Sequence, residues 1–379
     1  MEQVKLHMEP HTKAKHAILE KYLKGWFPIL SRWNGRILYL DAYSGSGIYD
    51  SGDIGSPIIA LNVASEHTLQ GVLSNAEKWF YFVEKDKPTY ETLRSVIEEK
   101  FGDLDSNFHP SMLPKGFKVI PINEDFNVDF KETLDTLDDK HLTLAPTFAF
   151  VDPYGYRLDL DLLSRIIAYP KCEVLLTFMV GFLDRFLFAD EHLDAILRTF
   201  GVSKDKILEM RQIPGESSRE DELARLLVEA MKRKIGASGT LYVISFEMID
   251  NHNKPLYKLV YFTRNKRGME IMKEAMFKIG GEGNYRFSDF NFNPYQKSIL
   301  DYSDGVKPWI VEAAEDISSA LRYRDLTIEQ FKDYVTLLTP YIYRAKILKQ
   351  LEDSGRLEVY SSEKRRLGNY PPGSRLRFI

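Results

Sequence analysis

Cysteine is almost absent from this 379-residue chain. The single cysteine, Cys172, excludes an intramolecular disulfide and any cysteine-based zinc cluster. Long apolar runs are absent too: no stretch approaches the roughly 18 apolar residues that a membrane helix needs. Residues 1–15 are polar and lack the apolar centre of a signal peptide. We therefore expect no metal site, no membrane partner and a cytoplasmic location.

The chain also has little excess charge, and that excess is unevenly spread. The net charge is −4. Residues 322–379 carry 12 Lys/Arg against 7 Asp/Glu, whereas the other 321 residues carry 39 against 48. Positive charge confined to one end of the chain predicts that this end meets a polyanion.

Short apolar segments alternate with helical patterns over the first half of the chain. The predicted strands are residues 36–41, 79–84, 117–122, 147–152 and 173–178. The predicted helices between them are residues 57–64, 87–101, 130–137 and 160–169, and an amphipathic helix at 11–30, capped by Thr12, precedes them. This alternation predicts a doubly wound α/β sheet with buried parallel strands.

The order changes after the fifth strand. Helices at about 183–200 and 219–234 precede strands at 240–248 and 256–263, and the link between these strands has hairpin length. The pair is therefore antiparallel. By analogy of fold, a mostly parallel sheet with an antiparallel edge strand is the Rossmann-type arrangement of class I methyltransferases.

The C-terminal segment predicts a winged helix-turn-helix. A helix at 308–323 is followed by a capping box at Thr327 and Gln330, and by a helix that opens at Thr339-Pro340 and ends at Ser354-Gly355. Short strands at 356–360 and 375–379 close the chain. The expected domains are an N-terminal helix (1–35), a Rossmann-type methyltransferase domain (36–280), a linker (281–305) and the winged helix (306–379).

A glycine-rich loop follows the first predicted strand. It reads Asp41-Ala42-Tyr43-Ser44-Gly45-Ser46-Gly47, and glycine there lets a nucleotide-type cofactor approach the backbone. A tyrosine stands where the dinucleotide fingerprint would have its first glycine. The loop resembles the S-adenosylmethionine (SAM) loop of amino-group and RNA-base methyltransferases; the alternative is an ordinary glycine turn. The predicted cofactor residues here are Asp41, Tyr43, Ser44, Gly45 and Gly47.

Acidic residues follow the next two strands. Glu84 is expected to accept the ribose hydroxyls of an adenosyl group, with Asp86 as a second candidate and a solvated charge as the alternative. Asp125 is expected to accept from the adenine amino group while Phe126 packs on the ring; the alternative is a plain helix cap.

Asp152-Pro153-Tyr154 ends the fourth strand and resembles the Asp/Asn-Pro-Pro-Tyr/Phe motif of amino-group methyltransferases with one proline missing. In that motif the acidic residue and a proline carbonyl accept from the target amine, which aims its lone pair at the methyl group, and the aromatic ring stacks on the base. These three residues are the predicted catalytic set, against a simple strand-end turn.

Basic residues define two further candidate sites. His11, Lys15 and His16 on the first helix either line the cofactor cleft or contact phosphate, or they lie on the surface. The predicted nucleic-acid-binding residues lie on the expected recognition helix (Arg344, Lys346, Lys349) and beside the expected wing (Lys364, Arg365, Arg366). Winged helices also dock proteins, so a protein partner is the alternative.

These segments together resemble the three-Cys-motif partner (TcmP) family. The similarity covers most of the first 280 residues and is carried by the segments 11–19, 40–47, 55–57, 150–155, 261–264 and 268–276. It implies a bacterial or archaeal methyltransferase-like protein, encoded beside a cysteine-motif partner, that often carries a winged-helix tail. It does not imply a substrate.

Two classes of function follow. The first is a SAM-dependent methyltransferase acting on an amino group of a nucleic-acid base or a related amine. The second is a non-catalytic module of the same fold that serves a cysteine-motif protein or nucleic acid. A nucleotide-dependent oxidoreductase is a weaker third hypothesis, because the spacing of the glycines argues against it.

Overall fold

A computed structural model describes residues 8–155, 158–236, 240–250, 254–281, 286–288, 307–361 and 364–379. The chain divides into two compact units. The first comprises Met1–Ala275 with Arg286–Phe292, and the second comprises Met276–Tyr285 with Asn293–Ile379. No helix within the described ranges is long and apolar enough to cross a membrane.

One sheet organises the first unit. Its described strands are β1 (Arg36–Asp41), β2 (Glu77–Val83), β3 (Phe117–Ile122), β4 (Thr147–Val151), β5 (Glu173–Phe178), β6 (Tyr242–Ile249), β7 (Pro255–Thr263) and β8 (Arg286–Ser288). They lie in the order β3-β2-β1-β4-β5-β7-β6-β8. Strands β1 to β5 are parallel, and β7 is antiparallel to both β5 and β6. This mixed α/β fold with a mostly parallel sheet confirms a Rossmann-like core.

Helices alternate with the parallel strands as the sequence predicts, and two further helices, Gln70–Leu73 and Lys204–Arg211, are not predicted from it. They are α1 (Pro10–Ser31), α2 (Ser56–Ser65), α3 (Gln70–Leu73), α4 (Lys87–Phe101), α5 (Phe126–Asp139), α6 (Leu160–Ala168), α7 (Val180–Leu187), α8 (Asp190–Phe200), α9 (Lys204–Arg211), α10 (Glu216–Ile235) and α11 (Lys266–Ile279). The single helix expected at 183–200 is wrong. It is two helices, because Ala189 adopts an extended conformation and Asp190 starts a new helix.

Helix α1 supplies a large apolar surface to the first unit. Tyr22, Trp26 and Phe27 are buried on it, and the ring centroids of Tyr22 and Phe148 on β4 lie 4.9 Å apart. The predicted apolar periodicity is therefore confirmed. The predicted cap is wrong, since the helix begins at Pro10, whose missing N–H costs nothing in the first turn.

A polar cluster lies buried at the start of β5. Tyr22 Oη donates a hydrogen bond to the carboxyl of Glu173, and Thr263 Oγ1 donates to the same carboxyl at 3.0 Å. Burial raises the pKa of Glu173 to about 7. A Cβ on Gly268 would lie 2.3 Å from Glu173 Oε1, so only glycine fits there. Segments 261–264 and 268–276, which carry part of the family resemblance, thus support this cluster.

The second unit is a small α/β assembly. Its described elements are α12 (Pro308–Ala320), β9 (Asp325–Thr327), α13 (Ile328–Leu338), α14 (Ala345–Asp353), β10 (Leu357–Tyr360) and β11 (Arg375–Phe378). The strands form an antiparallel sheet in the order β10-β11-β9. The capping box of Thr327 and Gln330 is present, with both reciprocal hydrogen bonds. Strand β9 is not predicted from the sequence.

The structure differs from two sequence predictions in this part of the chain. The helix expected to open at Thr339-Pro340 begins instead at Ala345. Thr339 Oγ1 donates to Val335 O, so this residue closes α13 rather than capping a new helix. The predicted loop at 280–293 and linker at 281–305 lie mostly outside the described residues, but 286–288 form β8, parallel to β6.

Candidate functional site

The predicted site residues of the first unit lie along one edge of the sheet. Asp41 ends β1, Glu84 follows β2, Asp125 follows β3 and Asp152 follows β4. Because β3, β2, β1 and β4 are neighbours and parallel, their carboxyl ends meet at this edge. In open α/β sheets ligands bind in the crevice outside the carboxyl ends of the strands. We name this edge the carboxyl edge.

The glycine loop after β1 has the backbone shape that the sequence predicts. Gly45 and Gly47 both have positive φ, of 62° and 74°. A Cβ on Gly45 would meet no atom within 4 Å, whereas one on Gly47 would lie 2.8 Å from Leu93 Cδ1. Gly45 therefore borders open space, while Gly47 is required by the packing of α4 against the loop.

Glu84 is bound to this loop. Gly45 N donates to Glu84 Oε2 at 3.0 Å, and Asp86 N donates to Glu84 Oε1 at 2.8 Å. A carboxylate oxygen can accept two hydrogen bonds and each of these accepts one from the backbone, so each retains one acceptor position. Asp86, the second candidate for this role, is instead the N-cap of α4 and accepts from Thr89 N.

Asp125 and Phe126 occupy structural positions. Asp125 is the N-cap of α5, where it accepts from Asn127 N at 3.0 Å, and Lys85 Nζ donates to its other oxygen at 3.1 Å. The Phe126 ring is buried between Tyr43 and Phe130, with centroids 5.8 and 5.7 Å away. The helix-cap alternative for Asp125 is therefore realised, and Phe126 supports the half-buried Tyr43 from beneath.

Asp41 and Ser44 are both buried. Tyr39 Oη donates to Asp41 Oδ2 at 3.1 Å, and Ser44 Oγ donates to the Asp41 carbonyl at 3.1 Å. Burial raises the pKa of Asp41 to about 7. Asp41 has no exposed surface and therefore supports the glycine loop from the interior.

Asp152 is held by a lysine from the first helix. Lys15 Nζ donates to Asp152 Oδ2, and the Lys15 side chain is 8% exposed while that of Asp152 is 26% exposed. Burial by itself would raise the pKa of Asp152, but the charge and hydrogen bond of Lys15 outweigh it and hold that pKa below its ordinary value. Asp152 is therefore a carboxylate that solvent reaches on one side.

His16 lies next to this ion pair and is also buried. Burial, together with the charge of Lys15, lowers the pKa of His16 to about 3, so the imidazole is neutral at physiological pH. Within the described ranges its Nδ1 atom has no hydrogen-bond partner. The surface alternative for Lys15 and His16 is wrong, and both residues line the carboxyl edge.

The other two residues of the predicted catalytic set differ from one another. Pro153 is buried, whereas the Tyr154 ring is fully exposed. Gly155 follows with a φ of 95° and lets the chain turn away from the strand. Tyr154 thus presents both ring faces to solvent beside Asp152.

Sequence reasoning missed other residues at the carboxyl edge. Lys13 pairs with Asp53 in the loop after β1 at 3.3 Å. Tyr257 Oη donates to the His11 carbonyl at 3.3 Å, and its ring lies 5.4 Å from Lys15 Nζ. Tyr49 faces the same carboxylates, and burial raises its pKa to about 12. The only sequence signal for this group was the clustering of basic residues at the start of α1.

The predicted basic residues of the second unit separate into two groups. Lys346 on α14 and Lys364 and Arg366 after β10 are exposed. Arg365 is mostly buried, forms an ion pair with Glu352 and stacks on Tyr370. Lys349 pairs with Asp353 at 2.8 Å. Arg365 therefore holds the unit together and does not project as a phosphate contact.

Arg344 is also placed differently from the prediction. It is the N-cap residue of α14 and lies before the helix rather than on it. The three helix charges expected on one face thus reduce to Lys346 and Lys349. Within the described part of the chain no cluster of His, Cys, Asp and Glu side chains could hold a metal ion.

Comparison with known proteins adds little. No protein-family model matches the chain, and no curated protein is significantly similar to it. Among solved structures, a crystal structure of a Legionella pneumophila protein of the DUF519 family aligns over 74% of this chain and 96% of that one. The two share 13% sequence identity, with a TM-score of 0.40. A similarity of this size supports no inference about function.

Proposed function

We propose that the chain is a SAM-dependent methyltransferase that acts on an amino group of a nucleic-acid base or a related amine. One observation carries the proposal: the glycine loop, Glu84 and Asp152 follow three neighbouring parallel strands, β1, β2 and β4, and so meet at the carboxyl edge. The strand order with an antiparallel β7 is the arrangement of class I methyltransferases, which supports the proposal by analogy of fold.

The residues at this edge fit the cofactor. Gly45 has a left-handed backbone and open space above its Cα, as close approach of a ligand requires. Glu84 keeps two acceptor positions for ribose hydroxyls. SAM would be held by the loop 43–47 and Glu84, with Asp125 and Phe126 supporting the adenine side. When bound, it supplies an electrophilic methyl group on a sulfonium sulfur.

The chain's own contribution to transfer would come from the turn after β4. Asp152, an ionised carboxylate with part of its surface exposed, would accept a hydrogen bond from the acceptor's amine and direct the nitrogen lone pair. The Pro153 carbonyl would accept the second N–H. Tyr154, fully exposed, would stack on a planar base.

The test separates binding from transfer. Isothermal titration calorimetry measures SAM affinity, and transfer from labelled SAM to DNA, RNA and small amines measures turnover. We expect Asp152→Ala, which removes the acceptor oxygens, to lower turnover by at least about 100-fold while SAM affinity changes less than threefold, because the lost interaction is made mainly in the transition state. Asp135→Ala, the same change at an exposed carboxylate that pairs with Arg165 on α6, is the matched control and should keep activity. A wild-type chain without affinity for SAM would contradict the proposal.

A non-catalytic module is the second candidate, favoured by two observations. Asp152 Oδ2 is already bonded to Lys15, and the motif has one proline fewer than the amino-group methyltransferases. This candidate predicts SAM binding without turnover on any acceptor. The sequence resemblance suggests a cysteine-motif protein as its partner. The single cysteine suggests a reducing cytoplasm as its location.

We also propose that the second unit binds nucleic acid as a winged helix. Lys346, Lys364 and Arg366 are exposed cations in a segment with a positive excess, and such charges contact phosphates. Arg365 and Lys349 are left out of this set because both pair with carboxylates of the same unit.

A further inference from the structure

Helix α1 places a buried cation on the carboxylate after β4. Lys15 and Asp152 are separated by 137 residues in sequence, so the pair exists only in the folded chain. Lys15 is far less exposed than Lys13, which lies two residues earlier and has a side chain that is 43% exposed. A lysine ammonium is seldom buried to this degree unless it is paired.

We propose that Lys15 is a positioning residue for Asp152: it fixes the orientation of the carboxylate and keeps it ionised to receive the amine of the methyl acceptor. The inference rests on the proposed function and adds α1 to the acceptor site. Lys15 bonds one oxygen, Oδ2, and the Asp152 side chain keeps 26% of its surface exposed, where a methyl acceptor could bind.

The surroundings of Asp152 leave this task to Lys15. Among the residues that the structure describes, the other titratable groups that interact with the carboxylate include His16, Tyr39, Asp41 and Tyr49. His16 is neutral, burial keeps the pKa of both tyrosines above the ordinary value, and Asp41 contributes negative charge when ionised. Of these groups and Lys15, Lys15 alone is cationic at neutral pH. Removing it leaves an uncompensated carboxylate in a partly buried position, which favours protonation.

His16 strengthens the argument from the same helix. Its Nδ1 has no partner within the described ranges although the ring is buried beside the ion pair. Buried polar atoms are normally hydrogen-bonded, so an unpartnered nitrogen next to Asp152 indicates a position that a ligand group completes. Lys15, His16 and Asp152 would then form one wall around the acceptor.

The test removes the cation and keeps the carboxylate. Lys15→Met should raise the pKa of Asp152 by about one unit or more. The shift is measured by NMR titration of the ¹³C-labelled Asp152 carboxyl resonance, which is assigned by its absence in Asp152→Asn. The acid limb of the turnover–pH profile should move up by the same amount, which lowers kcat about tenfold on that limb, below about pH 4, and leaves SAM affinity at pH 7 unchanged. Lys15→Arg should restore most of the activity, since it restores the charge.

Matched variants show whether Lys15 positions Asp152 or only anchors α1 to the sheet. Lys24→Met removes an exposed ion pair with Glu20 on the same helix and should leave both the resonance and the profile as in the wild type. Lys15→Gln, which keeps a donor without charge, replaces Lys15→Met if that variant does not fold. An unchanged Asp152 titration without the Lys15 charge would overturn the proposal, and so would an arginine variant as inactive as the methionine one. The titration needs no acceptor, so it decides the point even if the methyltransferase proposal fails.

Discussion

The backbone amide of Gly45 donates to Glu84 Oε2 at 3.0 Å, which joins the loop after β1 to the end of β2. The same carboxylate receives Asp86 N, so one side chain fixes two turns of the carboxyl edge. A ligand that bonds to Glu84 therefore meets a carboxylate whose orientation is already set, and little entropy is lost on binding.

Glu84→Gln should lower SAM affinity by at least about tenfold. The substitution replaces a charged acceptor by an amide that has one acceptor oxygen, and hydrogen bonds to charged groups contribute about 1.5 to 3 kcal/mol. Calorimetric titration of SAM measures the effect. Asp86→Asn is the control, because Asp86 caps α4 and should leave the affinity near the wild-type value. The opposite order of affinities would make Asp86 the ribose acceptor.

Substituting the two glycines of the loop by alanine should cause similar backbone strain but different losses of stability. Both have positive φ, which costs an alanine about 1 kcal/mol. Gly47→Ala adds a Cβ 2.8 Å from Leu93 Cδ1, whereas Gly45→Ala adds one in open space. We expect the free energy of unfolding to fall by about 1 to 3 kcal/mol more for Gly47→Ala. Urea denaturation measures both, and equal losses would contradict the packing of Leu93 against the loop.

Glu173 should make the chain less stable as pH rises. Burial gives this carboxyl a pKa of about 7 in the folded state against its ordinary 4.5, so between these values the folded state binds more protons than the unfolded one. The Glu173 contribution is therefore fully present below about pH 4.5 and is lost as pH rises through 7, by up to about 3 kcal/mol. Glu173→Gln should flatten the decrease. The free energy of unfolding of both proteins is measured at pH 5, 6, 7 and 8. Parallel curves would mean that a group other than Glu173 takes up the proton.

Arg365 and Arg366 are adjacent arginines that should behave differently. Arg365→Ala breaks a buried pair with Glu352 and should lower stability by about 3 kcal/mol, as for other buried ion pairs that lose one partner. Arg366→Ala should leave stability unchanged but weaken nucleic-acid binding and reduce the slope of log K against log salt by about one. Thermal unfolding and binding at two salt concentrations test both. An unchanged salt slope in Arg366→Ala would favour a protein partner for this unit.

The sequence predicts the sheet well because buried parallel strands need continuous apolar segments. Strands β1, β3 and β5 have the predicted bounds, and the hairpin after β5 is antiparallel as expected. Helix ends were less predictable, since the Thr339 hydroxyl accepts from Tyr341 N as an N-cap would, yet it also donates back to Val335 and no helix begins before Ala345. A local pattern shows that a threonine can cap a turn, but not whether a helix follows it.

The candidate site was only partly predictable for a different reason. Each acidic residue could be placed after its strand, because parallel topology brings those ends together. The pairing of Lys15 with Asp152, or of Arg365 with Glu352, depends on tertiary distance that no spacing rule encodes. The sequence predictions therefore differ most from the structure at charged residues whose ion-pair partners lie far away in the sequence.

The docking of α1 has a consequence for biosynthesis. The hydrogen bond between the His11 carbonyl and Tyr257 joins residues that are 246 positions apart. At about 5 to 20 residues per second, the ribosome therefore adds Tyr257 roughly 10 to 50 s after His11. During this time the apolar side of the helix is covered only in part, because Tyr22 packs against Phe148 on β4 and Tyr261 on β7, both of which follow much later in the chain. The nascent chain is thus a strong candidate for chaperone binding at its first helix, and slowing translation downstream should increase aggregation more than slowing it within the helix itself.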